Sequence, residues 1–309
     1  MIDGIRIVDA HMHLLPERLI NQADPLTGAV LDGEGRIHRI DGVVMNALPP
    51  FMKKAYFSCE NLIQLMQDTG IDKAVIMQSS FFNLSEDAAQ AVQRHPDQLI
   101  GAMTVPPVIE SIADIEKWHR MGLRAIKFEM RGLMESGRYP DLKPNNPAML
   151  QILAEAGRHN VTAVFDPGPM GWGCCRADDL REAVRRCPET RFVICHLGQP
   201  SARVLEDRAL YSEWENMISL ADHPNVWFDV SAMPNLFPDE GYPFSTAATF
   251  MKAFQDAYGE EKLIWGSDAP GVLKNASYVQ TFEMFRQWDV FSDRGLERLF
   301  GLNALDAYL

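Results

Sequence analysis

Apolar residues along the chain come in short runs, and each run is followed by a stretch with helical spacing of apolar and polar positions. The runs are IRIVDA (5–10), KAVIMQS (73–79), LIGAMTV (99–105), LRAIKFEM (123–130), VTAVFD (161–166), RFVICH (191–196), NVWFDVS (225–231) and LIWGSD (263–268). Most are rich in Val, Ile and Phe and apolar on both faces, as strands buried from two sides in a parallel sheet are. Between them, CENLIQLMQDTG (59–70) has apolar residues at 62, 63, 65 and 66 and stops at a glycine. SEDAAQAVQRHP (85–96) opens on a serine suited to capping and stops at a proline. The stretches 111–122, 146–160, 177–188, 202–224 and 246–259 read as helices in the same way. Eight strand–helix units in 309 residues predict a (β/α)8 TIM barrel rather than an open doubly wound sheet. No glycine-rich dinucleotide fingerprint follows the first strand, which points the same way.

Residues 14–58 break this rhythm. They separate the first strand from its helix and contain GEGRIHR, several prolines and the aromatics Phe51, Tyr56 and Phe57. A loop of this length is a lid, a binding loop or a disordered stretch, and it leaves from the C-terminal rim of the barrel. With no repeat, low-complexity tract or charge run, residues 1–309 read as a single domain.

Composition narrows the function. The chain is 47% hydrophobic and 23% charged, enough for a sizeable core. A net charge of −13 argues against nucleic acid or a membrane surface as partner. It leaves room for an anionic small molecule in a locally positive pocket. No apolar run is long enough to span a membrane, and MIDGIRIVDA lacks the basic start of a secretory signal. The five cysteines fit neither a disulfide framework nor a zinc ribbon. A reduced, cytoplasmic setting is expected, with the adjacent Cys174 and Cys175 as packing or loop residues.

In a barrel, side chains at the C-terminal strand ends converge on one mouth. The first strand ends in His11 and His13, which as i and i+2 point to one side. The fourth carries Lys127 and Glu129, with Arg131 just beyond. The fifth ends in Asp166, the sixth in His196, the seventh in Asp229 and Ser231, and the eighth in Asp268. Burying such groups without partners is costly, and a divalent ion would satisfy them. His and carboxylate donors suit Zn2+, and also Fe2+ or Mn2+. Alone, the two histidines would read as polar residues closing a strand. Trp172, after the fifth strand, lines the pocket or packs. His95, His119, His159 and His223 read as surface or capping residues, and so does His38, unless its loop closes over the mouth.

The pieces VDAHMH (8–13), CHLGQP (195–200), LIWGSDAP (263–270) and the ending GLNALDAYL resemble the amidohydrolase superfamily, in its amidohydrolase-2 branch. That branch includes γ-resorcylate and aminocarboxymuconate-semialdehyde decarboxylases and several sugar or pyrone lactonases. The resemblance implies one divalent ion, Zn2+ first and Mn2+ or Fe2+ as alternatives, with His11 and His13 as ligands. It makes Asp268 a ligand or the general base, and His196 the group that polarises a substrate carbonyl. One departure stands out: where the family commonly has a histidine ligand on the fifth strand, this chain has Asp166, which either takes that place as an oxygen ligand or leaves the metal differently placed, weakly bound or absent. Lys127 could be a carbamylated bridging lysine, as in binuclear members. The branch is mostly mononuclear, so Lys127, Glu129, Arg131 and Trp172 read as substrate contacts. The favoured activity is hydrolysis of a small carboxylated lactone, ester or amide. The alternative is non-oxidative decarboxylation of an aromatic or unsaturated acid. Members of this branch often form dimers, which the acidic surface does not forbid.

Overall fold

The computed structural model describes residues 4–309 apart from 47, 50, 51, 53 and 80, so the aromatic Phe51 lies outside the described residues. Its strands are β1 (Val8–Met12), β2 (Val30–Leu31), β3 (Arg36–His38), β4 (Val44–Asn46), β5 (Lys73–Ile76), β6 (Leu99–Met103), β7 (Ala125–Glu129), β8 (Thr162–Asp166), β9 (Phe192–Ile194), β10 (Val226–Asp229) and β11 (Leu263–Ile264). Eight of them pair side by side in the order β1-β5-β6-β7-β8-β9-β10-β11, all parallel. The segment after β11 closes the ring onto β1: Ala10 N–H donates to the Trp265 carbonyl (3.1 Å) and Asp268 N–H to the His11 carbonyl (2.8 Å). The result is the expected (β/α)8 barrel.

The eight barrel strands are buried on both faces, which explains the continuous apolar runs. Val8, Ala10, Val75, Ile100, Val164, Val193 and Ile264 fill the barrel interior, together with Ala304, Ala307 and Tyr308 of the C-terminal helix Asn303–Tyr308. That helix plugs the end of the barrel opposite the mouth, where the Thr162 hydroxyl at the start of β8 bonds the Ala307 carbonyl (2.5 Å). The larger apolar cluster lies between the strands and the surrounding helices.

β1 contains a phase change. Its register against β5 slips between Asp9 and Met12, leaving one extra residue on β1. Val8 and Ala10 face the interior before the slip; after it, His11 and His13 face the mouth while Met12 joins the outer cluster. A bulge re-aims side chains in this way. Without it, the residues in phase with Val8 and Ala10 would not be the histidines.

Three local expectations are corrected. The stretch 14–58 is not simply loop: β2, β3 and β4 form a small antiparallel sheet. The expected helix 202–224 breaks into Ala202–Glu206, Arg208–Ile218 and a 3-10 turn, because Asp207 caps the second piece, accepting from Ala209 N–H at 2.9 Å. Ser85 is no cap but the first helical residue; its hydroxyl accepts from Thr104 N–H on the next strand's exit (3.0 Å). Among the described residues no helix is long and apolar enough to cross a membrane, and all five cysteines are free.

Candidate active site

The strand ends converge as the barrel requires. His11 is fully buried, and its Nδ1 lies 3.0 Å from Asp229 Oδ2 at the end of β10. Asp229 also accepts from His196 N–H (3.0 Å) and Ser231 N–H (3.1 Å). Burial alone would raise the pKa of this carboxyl, but His11, His196 and Ser231 outweigh that and hold it well below the usual carboxylate range. An ionised Asp229 fixes the proton of His11 on Nδ1, leaving Nε2 with its lone pair free to accept. Burial, and then the neighbouring Lys127 charge, push the His11 pKa down to about 4, so the ring is neutral.

Asp268 approaches from beyond β11. Its Oδ1 is 3.1 Å from His13 Nε2 and 3.7 Å from His11 Nε2, and its Oδ2 is 3.5 Å from the Asn235 amide. Burial opposes its charge, yet the hydrogen bond and charge of His13, then His11 and His196, bring its pKa down to about 2. The backbone at Asp268 is left-handed, with φ 66°, a sparsely populated conformation for a residue with a Cβ that is held where a site needs it. Beneath, the buried Asp9 accepts from His11 N–H (3.1 Å), Ser267 N–H (2.9 Å) and the Tyr278 hydroxyl (2.8 Å), clasping β1 to the Asp268 loop.

His196 follows β9 on a second left-handed turn, with φ of 58° at His196 and 52° at Leu197. Its Nδ1 meets the Ser231 hydroxyl at 2.9 Å, and its Nε2 lies 3.5 Å from Asp166 Oδ2. Burial would lower its pKa, but the hydrogen bond and charge of Asp166, then Asp229 and Asp268, lift it to about 9. Asp166 in turn accepts from Gly168 N–H (3.1 Å) and from the Gln199 amide. Lys127 projects from β7 with only 4% of its surface exposed, and its Nζ lies 3.0 Å from His11 Nε2. Burial works against its charge, but the carboxylates of Asp166, Glu129 and Asp229 keep the ammonium above its ordinary pKa.

One cavity of about 240 Å³ opens over these strand ends, with Asp9, Asp229 and Ser231 behind its lining. The structure brings His11, His13, Lys127, Glu129, Asp166, His196 and Asp268 together there, as the strand ends predicted. Arg131 and Trp172 are not among the lining residues: Arg131 reaches Glu135 (3.2 Å) and stacks on the Trp172 ring at 4.5 Å. His38 bonds Asp32 at 2.8 Å and does not line the cavity. Residues that the sequence did not single out complete the wall. Ile37, Met45 and Leu48 come from the β2–β4 region, Phe81 and Phe82 from the loop after β5, and Asn235 and Lys274 from the rim opposite. For Ile37, Met45 and Leu48 the length of 14–58 was the only sequence signal; Phe81, Phe82, Asn235 and Lys274 had none.

The donor atoms of His11, His13 and Asp268 lie within 4.8 Å of one another, a spacing that one divalent ion can bridge. The chemistry fits such an ion: two imidazoles, one carboxylate, and a carboxylate behind His11 that orients its ring. Asp166 joins no such group among the described residues; its oxygens face His196, Gln199 and Gly168 instead. It therefore does not stand in for the strand-five histidine within that donor set. A second group, His11, Cys195 and His196, fits an ion less well, because burial pushes the Cys195 thiol pKa far up and ligation needs the thiolate.

Comparison with known proteins agrees with this architecture. The amidohydrolase family model matches residues 8–309. An L-fucono-1,5-lactonase of Burkholderia ambifaria is 31% identical over 137 residues, a match covering 40% of this chain and 43% of that protein. A probable 2-pyrone-4,6-dicarboxylic acid hydrolase from Acinetobacter baumannii, crystallised with citric acid, superposes with a TM-score of 0.73 at 18% identity, over 98% of this chain and 99% of that one. An amidohydrolase from Burkholderia multivorans with bound zinc superposes with a TM-score of 0.73 at 17% identity, again over 98% and 99% of the two chains. With the strand-end histidines and Asp268 in one mouth and the family match spanning nearly every residue, the chain belongs to the amidohydrolase family, in its amidohydrolase-2 branch.

Proposed function

We propose that this chain hydrolyses a small carboxylated lactone, with esters and amides as the wider class. The observation that carries the reading is the pairing of Asp268, ionised and held by His13, with His196, protonated and held by Asp166, across one cavity. Two titratable groups whose surroundings push them to opposite charge states mark an acid–base site. In this reading Asp268 takes a proton from the attacking water as its oxygen bonds the acyl carbon. The ring Nε2–H of His196 steadies the negative charge growing on the carbonyl oxygen. When the ring C–O bond breaks, Asp268 returns the proton to the leaving oxygen. His11, His13 and Asp268 would hold the divalent ion, and zinc, found in the Burkholderia multivorans neighbour, is the first to try. When bound, such an ion supplies Lewis-acid polarisation of the carbonyl and acidifies water. Lys127 and Lys274 line the cavity and supply positive charge for a substrate carboxylate. The partial lactonase match favours lactones within the class.

A panel of lactones and unsaturated acids tests this, with proton release and carbon dioxide release followed in parallel. Proton release from lactones without carbon dioxide supports the hydrolase. Carbon dioxide without ring opening establishes the decarboxylase alternative instead.

A further inference from the structure

The contact between Lys127 and His11 has a consequence for how this site handles a cation. His11 has one lone pair available. Asp229 holds the proton on Nδ1 (3.0 Å), and Nε2 accepts from Lys127 Nζ at 3.0 Å. Zinc binds imidazole nitrogen at about 2.0–2.1 Å. An ion on the same lone pair would therefore lie roughly 1 Å from Nζ, far inside any allowed contact. Lys127 is not a passing surface chain: it is almost wholly buried, on the barrel strand β7. It also lines the cavity, so its ammonium reaches the space where substrate must sit.

We infer that Lys127 is the resident cation of this site, occupying the ligand position on His11 that a divalent ion needs, so that metal binds only by displacing it. The inference rests on His11 being a ligand in the proposed hydrolase site. It adds that a buried ammonium can present positive charge to a substrate oxygen where relatives would use an ion. A lysine is a compact point charge with three donors. With one N–H committed to His11, two remain for a carbonyl oxygen and a carboxylate.

The experiment measures Zn2+ affinity directly, with no substrate present, by calorimetry on chelator-treated protein. Lys127→Met removes the ammonium and keeps the stem. The expected result is at least tenfold tighter Zn2+ binding than wild type. Equal or weaker binding overturns the inference. Should that variant not fold, crystals of the wild type soaked in Zn2+ decide. Zinc on His11 Nε2 with Lys127 swung out of hydrogen-bond reach supports displacement, as does His11 left free of zinc with Lys127 in place. Zinc on His11 with Nζ still within hydrogen-bond reach contradicts it. Both readouts stand whether or not any lactone is turned over, so failure of the proposed reaction is separately visible.

Discussion

Asp229→Asn separates the charge of this buried hub from its shape. Oδ1 accepts from His196 N–H (3.0 Å) and Ser231 N–H (3.1 Å), while Oδ2 faces His11 Nδ1 (3.0 Å). An asparagine keeps the oxygen where most donors converge and so turns its NH2 toward His11. Two donors cannot face each other there. His11 must move its proton to Nε2, which then opposes Lys127 Nζ at 3.0 Å. Hydrogen bonds to a charged acceptor are worth about 1.5–3 kcal/mol each, and the amide retains part of each remaining bond. The expected loss of unfolding free energy is therefore about 2–4 kcal/mol, below the 3–5 typical of stripping one partner from a buried ion pair. Activity should fall much further. A histidine locked in the wrong tautomer costs about 10⁴ in kcat in a serine protease triad, so a loss of 10³ or more is expected. Urea unfolding gives the first number, lactone turnover the second, and 15N-histidine spectra report the tautomer of His11. A variant with kcat within threefold of wild type and His11 still protonated on Nδ1 would refute this reasoning.

Other expectations can be checked with the same assays. Asp268→Asn should lower kcat by 10²–10⁴, the usual contribution of a general base, while circular dichroism stays unchanged. His196 has a folded pKa of about 9 against an ordinary 6.5. The folded chain thus holds the extra proton between those values, and the stability this contributes is full below 6.5 and lost as pH rises through 9. Both kcat/KM and urea midpoint should decline on that alkaline side, and His196→Gln should remove the limb. Gly266→Ala would place a Cβ 2.7 Å from His11 Cβ and 2.9 Å from its backbone nitrogen. Backbone cannot yield as a side-chain tip can, so a stability loss of about 1–3 kcal/mol with a larger fall in kcat is expected.

Much of the barrel is written in the one-dimensional pattern. Parallel strands buried on two faces leave continuous apolar runs, and Gly70 ends its helix in the left-handed cap that glycine favours. The polar residues closing those runs located His11, His13, Lys127, Asp166, His196 and Asp268, because a barrel sends strand ends to one mouth. Distances between strands are not written that way. Nothing in VDAHMH announces the bulge that re-aims the histidines. Nothing near CHLGQP or GSD reveals the left-handed turns at His196 and Asp268, which come from tertiary restraint and not local propensity. Asp166 illustrates the limit. Its residue type suited a metal ligand, but its partner His196 sits 30 residues on, and only the fold shows that its oxygens are committed there. Arg131 and Trp172 follow their strands closely in sequence, yet they stack on each other away from the cavity.

Hydrolysis in 18O-labelled water tests the central claim most directly. Single-turnover reaction of a carboxylated lactone, read by mass spectrometry, should give a ring-opened hydroxy acid with one 18O in the new carboxylate, and none with Asp268→Asn over the same time. Unlabelled ring-opened product, or release of carbon dioxide from an intact ring, would contradict it.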